Sequence, residues 1–235
     1  MIYESVNIPL WHLLKHITGR RILDIGCGTG ALGELLQENG NSVDGISYSP
    51  EEIAIAASRL HQVYLLDLND KDKIRTEIRG TYDILLFAEV LEHLVDPAGT
   101  LKMFYRNLTS EGLVYISLPN IACFYVRIGL LCGKFDPLEE GGILDKTHLH
   151  HYTLKTAKQM IREAGLQIET VDFMPGISVW LYQTFLKRGI VPPGKKMAVR
   201  NDFQFYENYI YPIEHLLGGV WKRLLANEFQ FVCRR

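Results

Sequence analysis

The chain has 235 residues, 47% of them hydrophobic and 22% charged, with a formal net charge of −2. That length suits one domain with insertions, the apolar share suffices for a sizeable core, and no long disordered stretch is expected. A net charge this small supplies no general attraction to phosphate backbones, which argues against a nucleic-acid partner. The four cysteines, Cys27, Cys123, Cys132 and Cys233, form no C-x-x-C pair and no zinc quartet. The first twenty residues lack the basic start, apolar stretch and cleavage site of a secretory leader, and no run of about 18 apolar residues occurs. The expectation is a soluble, cytoplasmic protein with reduced thiols.

Ile8, Trp11, Leu14 and Ile17 recur at helical spacing and predict an N-terminal helix. Arg21–Ile25 reads as the first strand, short and β-branched, followed at once by glycine. Leu32, Leu35 and Leu36 give a helical stripe that stops at Asn39-Gly40. Ser42–Ser47 reads as a second strand, with Asp44 as a solvated strand residue, and Pro50 opens a helix reaching Ala57. Val63–Leu68 and Tyr82–Val90 are the third and fourth strands. The unbroken Ile84-Leu85-Leu86-Phe87 run suits a strand buried on both faces. Asp96-Pro97 caps a helix with Leu101, Phe104, Tyr105 and Leu108 on one face, ended by Gly112, and Gly112–Pro119 is the fifth strand. Strands alternating with amphipathic helices imply a parallel sheet covered on both faces, with ligands beyond the carboxyl ends of its strands.

The second half is less regular. Residues 121–151 mix apolar pieces with glycine, proline and charge, Thr153 caps a clear helix that Gly165 ends, and LQIETVDF and EFQFVCRR read as the last strands. Residues 176–226 hold two predicted helices around the loop VPPGKK.

The stretch RILDIGCGTG carries the functional signal. Glycines at 26, 28 and 30 permit positive φ and close approach of backbone N–H groups to a ligand. Gly28, Gly30 and Gly33 also satisfy a dinucleotide G-x-G-x-x-G, but that pattern begins three residues past Ile25 and sets Asp24 beside a diphosphate. A carboxylate at a strand end beside a glycine turn suits a ligand with an ammonium group and a sulfonium. A tight turn with no ligand is the third reading.

LDIGCGTG resembles the first motif of class I S-adenosylmethionine-dependent methyltransferases. VDGISYSPEEIAIA, LLDLND and FAEVLEHLVDP resemble that family's later motifs, and GGILDKTHLHHYTLK resembles a D-x-T-H segment of a bacterial subgroup. The resemblance covers residues 20–172. It implies a Rossmann-like, doubly wound, seven-stranded and mostly parallel α/β sheet with an antiparallel last strand and helical lid insertions. The whole of 1–235 would be one methyltransferase domain, with an N-terminal helix in 1–19, a cofactor-binding half in 20–120, and lid or substrate insertions at 121–151 and 176–226.

The implied cofactor is S-adenosyl-L-methionine, with Asp24, Gly26, Cys27, Gly28 and Gly30 around its amino-acid end. Ser47 and Tyr48 would lie at the ribose, Asp67 and Leu68 at the adenine, and Ala88, Glu89 and Val90 beside the methionine portion. The family has an acidic residue at the position of Ser47, whose hydroxyl lacks the bidentate geometry of a carboxylate. The fourth motif lacks the proline pair of base-amino methyltransferases, and the similar SLPN follows the fifth strand instead.

The implied reaction is methyl transfer to a small-molecule acceptor, at oxygen in the first reading. Methylation at nitrogen or carbon, or of a lipid-linked or sugar acceptor, is the alternative; an NAD(P)-dependent oxidoreductase and a non-catalytic cofactor-binding protein are the competing classes. An alcohol or phenol acceptor needs a base that titrates near neutrality, for which His93 and His148 are the candidates. Asp145, His148, His150, His151 and Glu140 match no metal-ligand spacing, so no metal is expected. Apolar residues such as Trp180, Phe185, Tyr209, Leu216 and Trp221, interleaved with lysine and arginine, suit a lid, a peripheral membrane surface or a second copy of the chain.

Overall fold

The computed structural model describes residues 6–137, 142–176, 209 and 211–235. Its elements run α1 (Ile8–Leu14), β1 (Arg21–Ile25), α2 (Ala31–Glu38), β2 (Ser42–Ser47), α3 (Pro50–Ala56), β3 (Gln62–Leu65), α4 (Lys71–Glu77), β4 (Tyr82–Ala88), α5 (Pro97–Phe104) and β5 (Leu108–Pro119). Then follow α6 (Phe124–Leu131), α7 (Leu154–Glu163), β6 (Gln167–Pro175), α8 (Tyr211–Gly218), α9 (Lys222–Leu225) and β7 (Ala226–Arg234). The seven strands form one sheet in the order β3-β2-β1-β4-β5-β7-β6. The pairs from β3 through β5 are parallel, and β7 runs antiparallel to both β5 and β6. Strand order reverses between β1 and β4, which opens a crevice beyond their carboxyl ends.

Local chemistry explains the helix starts. Asn7, Ser49, Asp70 and Asp96 each accept a hydrogen bond from an N–H in the first turn of the helix they precede, and Thr153 and Thr156 make a reciprocal capping box. Ile84 through Phe87 on β4 are buried on both faces, as a central parallel strand requires. One core, with Phe87 edge-on to Phe104 of α5 at 5.9 Å, packs under α5 and α7; the other lies under α1 and α2.

Three expectations shift. β3 ends at Leu65 because Asp67 Oδ1 accepts from the Asn69 N–H at 2.9 Å and turns the chain. β5 starts at Leu108, since α5 stops at Phe104. Asp44 is buried, not solvated: Tyr82 donates to it at 2.8 Å, His61 Nδ1 lies at 2.8 Å and Arg21 Nη2 at 3.3 Å. A carboxylate in the sheet is tolerated because those three partners replace its water.

Candidate active site

The glycine turn leaves β1 at the crevice. Gly26, Gly28 and Gly30 all have positive φ, of 85°, 51° and 77°. A Cβ on Gly26 would also meet Val90 Cγ2 at 2.6 Å, so the absent side chain lets the turn touch the loop after β4. Gly26 and Cys27 donate to the Ile46 carbonyl, each at 2.9 Å, and Gly30 to the Cys27 carbonyl at 2.8 Å. Among the described residues, the N–H groups of Gly28 and Thr29 have no such partner and are the turn's available donors. Gly33 serves packing: a Cβ there would strike Leu60 Cδ2 at 2.5 Å. The third glycine of the apparent dinucleotide pattern is thereby explained without a diphosphate.

Asp24 lies at the floor of this turn. It is buried, its Oδ1 has no hydrogen-bond partner, and burial lifts its carboxyl to about 7. An orphaned buried carboxyl beside a side-chain-free turn fits a ligand that brings an ammonium group.

At the end of β2 the expected residues separate. The Ser47 hydroxyl donates to Glu52 Oε2 at 2.6 Å, whereas Tyr48 is 70% exposed and points away from the buried groups. Glu52, one turn into α3, is itself buried, and its charge helps raise the thiol of Cys27 in the glycine turn, behind burial and Asp24. A carboxylate from five residues later thus lies beside the Ser47 hydroxyl. Sequence reasoning missed Glu52; its spacing from Ser49, the helix cap, was the available signal. Leu68 is buried and Asp67 exposed, its Oδ1 committed to the turn at Asn69.

At the end of β4, Ala88 and, just past it, Val90 are half-buried and Glu89 is exposed, the one non-glycine residue with positive φ (48°) among the described residues. His93 and His148, 55 positions apart, come together with ring centroids 4.7 Å apart. Thr147 Oγ1 donates to Asp145 Oδ1 at 2.6 Å, which uses its only proton. His93 Nδ1, 3.0 Å from that oxygen and 3.3 Å from the Thr147 carbonyl, must therefore be the donor, leaving Nε2 with a free lone pair. Burial holds His93 below its usual range and neutral near pH 7. His148 Nδ1 sits 3.2 Å from the Ile143 carbonyl, and burial, then His93, bring it down to about 4. His148 thus fastens the loop 142–151.

Glu92 is 0% exposed with both carboxyl oxygens unpartnered, pushed up to about 8 chiefly by burial, and its Oε1 is 4.0 Å from His148 Nε2. Among the described residues, Glu92, His93 and His148 each bring one ligand-type atom within 4.8 Å of the others. Of the expected histidine cluster, His150 stacks on Tyr152 and His151 is exposed, while Glu140 lies outside the described residues. Trp180 and Phe185 of the expected lid also lie outside them; Tyr209, Leu216 and Trp221 are exposed. No helix among the described residues is long and apolar enough to cross a membrane.

Comparison with known proteins follows this geometry. Residues 9–171 match the family model described as a methyltransferase domain. The ubiquinone biosynthesis O-methyltransferase of Pseudomonas aeruginosa is 34% identical over 109 residues, 44% of this chain and 46% of that protein. The protein of the same name from Burkholderia vietnamiensis is 32% identical over 161 residues, 60% of this chain and 68% of the relative. The chain spans about half the length of the first of these relatives. A solved S-adenosylmethionine-dependent methyltransferase from Archaeoglobus fulgidus shares the fold, with a TM-score of 0.61 at 18% identity over 97% of this chain and 92% of that one.

Proposed function

The chain belongs to the S-adenosylmethionine-dependent methyltransferase family, and from that premise we propose that it methylates a small-molecule acceptor at oxygen. The observation that carries this reading is the bare glycine turn over the orphaned Asp24 carboxyl, in contact with the loop after β4.

Asp24 would hold the ammonium of S-adenosylmethionine, with Gly26, Cys27, Gly28 and Gly30 around its amino-acid end. Glu52, reached through Ser47, would accept from the ribose hydroxyls, a bidentate task that suits a carboxylate. Asp67 and Leu68 would border the adenine, and Ala88, Glu89 and Val90 the methionine portion; Tyr48 is left without a role. When bound, the cofactor supplies a methyl group on a positively charged sulfur that is already a good leaving group. The chain's part is alignment, exclusion of water and removal of one proton. His93 Nε2 would take the acceptor's hydroxyl proton as that oxygen receives the methyl group, with the Asp145–Thr147 pair fixing the tautomer. His148 positions His93. Residues 121–151 and 176–226 would cover the acceptor, the latter offering exposed Leu216 and Trp221 to a hydrophobic one.

The test is turnover with a pool of phenols, quinols and sugars, reading S-adenosylhomocysteine. Its accumulation in the wild type, with loss in His93→Ala at unchanged cofactor affinity, is the expected outcome. Full turnover in His93→Ala would remove this base.

A further inference from the structure

The sheet face under α1 ends in a polar group, Asn7, Ser117, Glu228 and Gln230, that neither cofactor binding nor the His93 relay uses, and it reaches Glu89 at the edge of the cofactor's methionine portion. Asn7 caps α1, its Oδ1 accepting from the Leu10 N–H at 2.9 Å, while its Nδ2 turns to the sheet. There it donates to Glu228 Oε1 on β7 at 2.6 Å and to Ser117 Oγ on β5 at 3.2 Å. Gln230 Nε2 donates to the same Glu228 oxygen at 3.0 Å. Ser117 Oγ also accepts the Glu89 N–H at 3.0 Å, which secures the left-handed backbone at Glu89 and fixes where its side chain leaves the chain.

An independent feature points to a ligand. Gln230 is 0% exposed, yet its Oε1 has no donor, although its amide lies against Glu228. A buried acceptor left unpaired costs on the order of 1–3 kcal/mol, so the site favours a molecule that brings a donor. The charge balance agrees. Glu228 above all, and Glu92 after it, push the Glu89 carboxyl well above the ordinary range although the residue itself is exposed, and burial pushes Glu228 up. Tyr125 of α6, whose hydroxyl bonds to Asn227, also faces Glu89. Among the described residues no lysine or arginine pairs with Glu89, Glu92 or Glu228.

We propose that Glu89, Glu228 and Gln230, tied together through Asn7 and Ser117, form the acceptor subsite, and that it selects acceptors bearing hydrogen-bond donors and no negative charge, ammonium-bearing ones most strongly. The proposal rests on the methyltransferase reading and adds the acceptor's chemical class to it. An ammonium relieves the repulsion between the carboxyls, a neutral hydroxyl satisfies the open acceptors, and a carboxylate or phosphate adds like charge beside the buried Glu228. Rejection by repulsion is as much a specificity device as attraction.

The experiment uses the full chain, 15N-labelled and saturated with S-adenosylhomocysteine. It is titrated with three phenols that differ only at the para position: 4-hydroxybenzylamine, 4-hydroxybenzyl alcohol and 4-hydroxybenzoate. The reporter is the Asn7 side-chain amide. Half-maximal shift is expected at a concentration at least tenfold lower for the amine than for the benzoate, with the alcohol between. Glu89→Gln, at an exposed position that tolerates the change, should narrow the gap to less than threefold, and Glu228→Gln should do the same. Equal response to all three phenols, no response to any, or an unchanged order in Glu89→Gln would overturn the subsite. Loss of S-adenosylhomocysteine binding would instead take away the methyltransferase reading and the subsite with it.

Discussion

The proposed cofactor end of the cleft joins residues close in sequence: Asp24 through Gly30, then Ser47 to Glu52 five positions apart. The acceptor end joins residues that only the folded sheet brings together, Asn7 to Glu228 across 221 positions and His93 to Thr147 across 54. At the first end the backbone does most of the work, through positive φ and missing side chains; at the second the side chains do it, through a relay and a carboxyl group held by α1. The difference teaches that the proposed cofactor end is a property of two neighbouring strand–turn–helix units, β1 to α2 and β2 to α3. The proposed acceptor end is a property of sheet topology, and it fails if β7 or α1 fails to dock.

The sharpest break of this comparison is Gly26→Val, which puts a β-branched side chain at φ 85° and against Val90. Calorimetry should find no binding of S-adenosylhomocysteine, with circular dichroism checking that the fold survives. His93→Ala strikes the other end alone. It should lower kcat by roughly 10²–10⁴-fold while the calorimetric cofactor affinity stays within about twofold. Glu52→Gln returns to the cofactor end, where losing a charged acceptor should weaken cofactor binding roughly 10- to 100-fold, and Ser47→Ala should do so less; equal affinity for Glu52→Gln would leave the ribose without its carboxylate.

The smallest effect is the dependence on pH. Asp24 in the folded chain titrates near 7, against an ordinary value of 3.8, so between those values the folded chain holds a proton that the unfolded chain has lost. Stability from this group is present below about pH 4, is lost as pH rises to about 7, and is level above that. A bound ammonium favours the ionised form, so cofactor affinity should rise by up to about tenfold per pH unit on approach to pH 7 and then level off. Asp24→Asn should flatten both profiles, measured by thermal unfolding and calorimetry across pH 5 to 8.

The same contrast decides what the sequence made legible. β1, β2, β4 and the capped helices α3, α5 and α7 follow from local pattern, since a buried apolar run or a cap followed by proline specifies itself. α4 did not, because KDKIRTE offers one apolar residue, Ile74, to its buried face. β5 was read four residues short, because Leu108 fits the helical stripe of α5 as well as a strand. Asp44 misled for want of Tyr82, a partner 38 positions away. The glycine turn and both histidines were visible as motifs, but the tautomer of His93 depends on Thr147, and the repulsion of Glu89 by Glu228 depends on β7 lying beside β5. No local periodicity carries that information.

Titration of the wild-type chain with S-adenosylmethionine, beside a parallel titration with NADH, addresses the glycine turn most directly. One-to-one binding in the micromolar range, displaced by S-adenosylhomocysteine and with no heat from NADH, is the predicted result. Binding of the nicotinamide cofactor alone would contradict it.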